Sequence, residues 1–296
     1  MWSEEELRDL ESDPRPQPTG ARSLASALRH EVLARNRERA RQHPHEQTRG
    51  ASIIYTPTTL THGNFIEAAY RRICANPQWS GRLQKAHTAK RQARLTSVRE
   101  DAWCELDAAT SSDALLMNIL CYPRVLAGAA LPALLGIDRG ESPIFGFKPR
   151  IPLLRSLTDT TEVDCKLGPL LLEAKLTESD FQSAPLRKLE RYRDFRDVFD
   201  PDFLPRVGAH VASYQLLRGV LAVHALSLSG EETSFCVLAD ARRPDLMEAW
   251  HAVQCAVRSY TLQARLRLLT WQELVPSLPG PLAAFLAGKY GITPIA

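Results

Sequence analysis

Asp164, Glu173 and Lys175 stand close together in "TEVDCKLGPLLLEAKLTE" (161–178), a run otherwise dominated by strand-forming apolar residues. Charges are costly in a buried hairpin unless they are paired, hydrogen-bonded or bound to a metal. Either this segment lies at a solvated sheet edge, or its charges are kept for chemistry. Strand alternation places Glu173 and Lys175 on one face and Leu172, Ala174 and Leu176 on the other, and it groups Glu162, Asp164 and Lys166. Gly168-Pro169 is the natural turn. Glycine suits the first central position of a type II′ hairpin, and the negative φ of proline is compatible with the second. With those two residues as the loop, Leu167 pairs with Leu170, Asp164 faces Glu173, and Glu162 faces Lys175. Opposed residues have Cβ atoms about 4.5–5.5 Å apart. Two carboxylates at that spacing repel unless a proton or cation lies between them. Mg²⁺, a hard ion that takes one or two carboxylates and keeps waters, resolves the conflict. Two acids, a metal and a lysine on one sheet face suit phosphodiester hydrolysis, in which the metal polarises a phosphoryl oxygen and activates water. The competing reading is a plain scaffold in which Glu162 and Lys175 form a salt bridge.

The elements around this hairpin read as follows. Residues 1 to about 20 form an arm, and "SLASALRHEVLARNRERARQ" is an amphipathic helix with a basic far end. His43 and His45 flank a proline in a polar loop. The stretch from Arg82 to Arg99 carries Arg82, Lys85, Lys90, Arg91, Arg94 and Arg99 with no acid among them, which fits a solvated helix face or a phosphate-tracking patch. "TSSDALLMNILCY" is a helix capped by Ser111 or Ser112, with Asp113 in its first turn. "ESPIFGFKPRIP" reads as loop. After the hairpin, 186–199 and 206–228 read as helices, "TSFCVLAD" as a strand, "RPDLMEAWHAVQCAVRSY" as a helix, "ARLRLLT" as a strand and "WQELVPSLP" as a short helix. This order predicts an α/β fold with a small mixed central β-sheet flanked by α-helices and with extra N-terminal helices.

The composition sets bounds. The 296 residues are 44% hydrophobic, which suits a globular core, and the net charge of +3 does not by itself indicate a nucleic-acid binder. Six scattered cysteines form no C-x-x-C pair, so they point to a reducing, cytoplasmic setting and away from structural zinc. The apolar stretch at 114–137 is broken by Pro123, Arg124 and Pro132, which favours two buried helices over a membrane span. The glycine-rich phosphate loops, the G-x-S-x-G elbow and the H-E-x-x-H zinc motif do not occur.

"EVDCKLGPLLLEAKLTESDF" resembles the core of the PD-(D/E)XK nuclease superfamily, the restriction-endonuclease-like fold: an acid on one strand, a turn, then an apolar strand ending in E-x-K. "TSSDALLMNIL", "YQLLRG" and "LRLLTWQELV" resemble the first core helix, the helix after the catalytic strand and the late strand-helix pair of such proteins, and are closest to a bacterial branch. The match spans about 111–275. The resemblance implies that Asp164 and Glu173 bind Mg²⁺, with Mn²⁺ as a substitute, and that Lys175 is the catalytic lysine. It makes Gln215 an accessory residue that orients water or touches the nucleic-acid backbone; the same glutamine also suits the edge of a packed helix. Arg218, Lys90, Arg91 and Arg94 would contact nucleic acid, expected to be DNA, with 35–41 and 82–99 guiding the backbone. An additional helix acid is expected at Glu105 or Asp113, and Gly219 stands where some relatives place Tyr. The implied activity is metal-dependent DNA cleavage in restriction, defence or DNA processing. The alternative is a catalytically silent nucleic-acid-binding or assembly subunit that keeps the nuclease fold. The expected organisation is a flexible and basic helical arm over 1–50 and one nuclease domain over 51–296, its core at about 100–280. A homodimer is compatible with this reading and a membrane partner is not. Alanine at Glu173 or Lys175 is expected to abolish cleavage and leave folding intact.

Overall fold

The computed structural model describes residues 19–47, 52–86 and 103–295. Lys90, Arg91, Arg94 and Arg99 lie outside the described residues. At the centre is a five-stranded mixed sheet built from β1 (Ile144–Phe147), β2 (Val163–Leu167), β3 (Leu170–Ala174), β4 (Ser234–Ala239) and β5 (Leu266–Thr270), in the order β5-β4-β3-β2-β1. β1, β2 and β3 pair antiparallel, and β3, β4 and β5 pair parallel. The expected mixed sheet flanked by helices is therefore present, and it fits a restriction-endonuclease-like fold.

Local chemistry explains the sheet. Gly168 has φ +55° and makes the β2–β3 turn with Pro169, so Leu167 pairs with Leu170 and Cys165 with Leu172. β2 alternates buried Val163, Cys165 and Leu167 with the partly buried Asp164 and Lys166, whereas every residue of β3 is buried. Parallel strands need crossover connections. Here they are α3 (Tyr214–Leu228), between β3 and β4, and α4 (Pro244–Ala256), between β4 and β5. These helices pack on one side of the sheet with Leu171, Phe235 and Val237. On the other side lie α1 (Thr19–Ala40), α2 (Ser112–Leu120) and α5 (Gly280–Tyr290), which bury Leu28, Val32, Leu115, Leu282 and Leu286 against Leu172, Cys236 and Trp271. Ser111 caps α2, its hydroxyl accepting the Ala114 N–H at 3.2 Å.

Several expectations change. "ESPIFGFKPRIP" is not all loop, because β1 forms the sheet's edge by pairing with β2. Residues 206–228 are not one helix: Arg206–Val207 and His210–Ala212 pair as short strands around Gly208, and the helix starts at Tyr214. Residues 186–199 form only the short helices Leu186–Leu189 and Phe195–Val198. Among the described residues no helix is long and apolar enough to cross a membrane.

Gly219 has a steric reason. A Cβ there would lie 2.4 Å from the Phe235 ring, which is fully buried. Alanine in a helix ordinarily gains about 1 kcal/mol over glycine. Overpacking a rigid core costs about 1–3 kcal/mol. The clash is with the rigid ring of a fully buried aromatic, so overpacking outweighs the helix gain. Gly219→Ala is expected to lower the melting temperature, measured by thermal unfolding; a rise would show that α3 can shift away from β4.

Candidate active site

Asp164 lies on β2 and Glu173 on β3, one step on from the Cys165–Leu172 pair, so the two-residue turn brings their carboxylates together. An Asp164 carboxylate oxygen accepts the Ala174 N–H at 2.8 Å. Glu173 is 2% exposed, and its Oε1 accepts from Lys175 Nζ at 2.7 Å. Lys175 immediately follows β3 and is held along its backbone as well. Its N–H donates to the Leu238 carbonyl and its own carbonyl accepts from the Trp271 indole N–H, both at 2.8 Å. Its ammonium lies 5.7 Å from the centre of the Phe181 ring.

The electrostatics are uneven. Burial, then the Glu173 and Asp113 carboxylates, push the Asp164 carboxyl well above the usual carboxylate range; Lys175 and the Ala174 N–H only partly oppose this. Burial disfavours the Lys175 ammonium, but Glu173, Glu178 and Asp164 outweigh it and raise its pKa. Asp113 lies in the first turn of α2 and accepts from Lys85 Nζ at 2.7 Å and from an Arg82 nitrogen at 3.1 Å. Burial opposes its charge, but Lys85 and Arg82 hold its carboxyl below the ordinary value. Arg82 also donates to Glu162 at 2.7 Å. Glu178 accepts from the Ser112 hydroxyl at 2.5 Å and from the Leu176 N–H at 2.6 Å.

The expected residues thus fall into different positions. Asp164, Glu173 and Lys175 share one cluster, and of the two candidate helix acids it is Asp113 that acts electrostatically on Asp164. Gln215 is the second residue of α3, and its N–H donates at 3.0 Å to the carbonyl of Phe181, whose ring centre lies 5.7 Å from the Lys175 ammonium; among the described residues its side chain makes no hydrogen bond. Arg218 requires a correction. It is 6% exposed and donates to the Glu162 carbonyl at 2.8 Å, so it faces inward and anchors the chain ahead of β2. The expected pairing of Glu162 with Lys175 is also corrected, because Glu162 bonds Arg82 and Lys175 bonds Glu173. Arg82 is buried between the Asp113 and Glu162 carboxylates, and Lys85 joins it on Asp113. Arg39, in the basic end of α1, donates to the Gly63 and Phe65 carbonyls. Reading the sequence missed the role of Trp271, for which the W-x-E-L pattern was the available signal.

Asp164 and Glu173 are the residues that could hold a metal. Both are hard oxygen donors, and the crowding of acids around Asp164, only partly relieved by Lys175, suits a divalent cation that keeps part of its water shell. Among the described residues no group of three or more His, Cys, Asp or Glu side chains is gathered closely enough to hold one.

Since the folded state raises the Asp164 pKa, it binds the proton more tightly than the unfolded chain does. Stability is therefore lost as pH rises from the unfolded value of about 3.9 through the raised folded value. Asp164→Asn removes this penalty and keeps an oxygen for the Ala174 N–H. It is expected to raise the melting temperature in metal-free buffer at neutral pH, with the gain fading as pH falls toward 4; a gain that does not depend on pH would refute the electrostatic cause.

No curated protein and no solved structure gives a significant match to this chain. The family described as Restriction Endonuclease associating with ARP matches residues 29–291, a span that includes every strand of the central sheet, and the chain belongs to that family.

Proposed function

We propose that the protein is a Mg²⁺-dependent deoxyribonuclease of the PD-(D/E)XK type, acting in the cytoplasm in restriction, defence or DNA processing. The observation that carries this reading is the convergence of Asp164, Glu173 and Lys175 at the end of the central strand pair. Asp164 and Glu173 would hold Mg²⁺ or Mn²⁺. Bound there, the ion would polarise a phosphoryl oxygen and lower the pKa of a coordinated water.

Lys175 does the rest of the electrostatic work. The Leu238 and Trp271 bonds fix its backbone, so its ammonium is in place before charge develops on the phosphoryl group and needs no reorganisation at that moment. Gln215, at the mouth of α3, would orient water or touch the polymer backbone. The family description supports DNA as substrate and names ARP as an associate, so a protein partner is part of the proposal, and a homodimer is compatible with it.

The buried Glu173–Lys175 pair changes how the site must be tested. Side-chain exposure is 6% for Lys175 and 3% for Glu173. Removing one partner from such a pair leaves an uncompensated charge, at about 3–5 kcal/mol. Alanine at either position is therefore expected to weaken the fold, contrary to the expectation from sequence. Asp164→Asn avoids that difficulty. In Mg²⁺, the wild type should cleave plasmid DNA, and Asp164→Asn should lose at least about a hundredfold in rate, a loss of the order seen on removing a preorganised electrostatic contact. DNA binding without metal-dependent cleavage by the wild type would favour a silent binding subunit, and undiminished cleavage by Asp164→Asn would refute the site.

A further inference from the structure

Arg82 and Lys85 are distributed oddly among the acids of this site. Asp113 has two cationic partners, whereas among the described residues Asp164 forms no ion pair, although Lys175 and Arg82 both act on it electrostatically. We propose that Arg82 and Lys85 are phosphate-contacting residues held in reserve on Asp113, and that they are handed to the nucleic-acid backbone when the acids take up a divalent cation. This inference rests on the nuclease reading and deepens it.

The first support is the construction of the Arg82 seat. Its side chain is 9% exposed, and its guanidinium spans Asp113 and Glu162. Gly146, between the Phe145–Cys165 and Phe147–Val163 pairs and so beside Asp164, has φ +66°, a conformation that L side chains rarely adopt. A Cβ at 146 would lie 2.5 Å from Arg82 Nη1 and 3.1 Å from Glu162 Oε2. The edge strand is thus left bare where the guanidinium approaches the acids. The second support is that both cations sit on one short element. Arg82 belongs to the single 3-10 turn Gly81–Gln84, and Lys85 is its C-terminal cap residue. One small movement of this turn would carry both cations. Lys85, with a side chain 20% exposed, is already at the border with solvent.

The third support is charge balance. Asp113 interacts with Asp164 and with Lys175, so it borders the same electrostatic field as the candidate metal acids. A divalent charge placed there repels Arg82 and Lys85 and competes for Asp113. A phosphate backbone offers those two cations a replacement partner, and a planar guanidinium fork matches phosphate oxygens. Metal and polymer then favour each other through one shared carboxylate, and such coupling is reciprocal. A fixed salt bridge would leave the two binding events independent of Asp113.

The test measures Mn²⁺ affinity by the electron paramagnetic resonance signal of free Mn²⁺, with and without a phosphorothioate DNA duplex that resists cleavage. The full chain is used as wild type, Lys85→Met, Lys85→Gln and Lys85→Met/Asp113→Asn, each checked by thermal unfolding. Without DNA, Lys85→Met should bind Mn²⁺ at least about fivefold tighter than wild type, the lower end of ordinary coupling. Lys85→Gln, which keeps a donor to Asp113 and so spares the fold, should shift the same way. Asp113→Asn should remove the gain, and the duplex should tighten Mn²⁺ binding in wild type more than in Lys85→Met. Equal Mn²⁺ affinity in all four proteins, or a gain that survives Asp113→Asn, overturns the hand-over and leaves the nuclease reading standing. Absence of Mn²⁺ binding in every protein, with DNA and without, overturns both.

Discussion

An ion pair buried on a strand that is covered from both sides is the constraint around which this fold is arranged. Glu173 and Lys175 are almost fully withdrawn from water at the end of β3. A buried pair is tolerable only when its remaining groups are well bonded. Leu238 from β4 and Trp271 from the helix after β5 bind the Lys175 backbone, so three successive strands of the parallel half converge on one residue. The antiparallel half brings Asp164 against the same point. The sheet is mixed for a visible reason: one half supplies a tight hairpin for the second acid, and the other supplies crossover strands that wall in the first acid and the lysine.

The charges beyond this pair follow from it. Asp164 adds a carboxylate to a region already containing Glu173, and Asp113 and Glu178 approach from α2 and from the segment after β3. Arg82 and Lys85 pair with Asp113, and Arg82 pairs with Glu162 as well while acting on Asp164 only through the electrostatic field. The result is a site short of positive charge where Asp164 sits and well supplied one residue contact away. That gradient costs stability, as expected of groups kept for binding and not for packing.

The parts legible in the sequence were those governed by local rules. The Gly168-Pro169 turn and the alternation on either side of it are short-range features, and they gave the hairpin, its register and the approach of Asp164 to Glu173. Pro123 correctly separated two helices. What escaped depended on distant partners. β1 contains Gly146 and is bounded by Pro143, so it resembles loop until β2 pairs with it. Arg82 and Lys85 look free in a stretch without acids, because Asp113 and Glu162 lie far along the chain. Arg218 looked accessible from helical spacing alone, yet α3 turns it toward the Glu162 carbonyl. Choosing Asp113 over Glu105 needed the third dimension for the same reason.

The shortness of the β2–β3 turn has an evolutionary consequence. Side chains alternate along a strand, so inserting or deleting one residue in this hairpin would turn one acid to the other face of the sheet. Changing one strand by two would restore the face but displace the carboxylates from each other by roughly 7 Å along the strands, at about 3.4 Å per residue. Most surface loops accept changes of length with little penalty. Within β2 and β3 that freedom is lost: a change of length is compatible with Asp164 facing Glu173 only where it is confined to the Gly168-Pro169 loop and leaves the Leu167–Leu170 pairing intact.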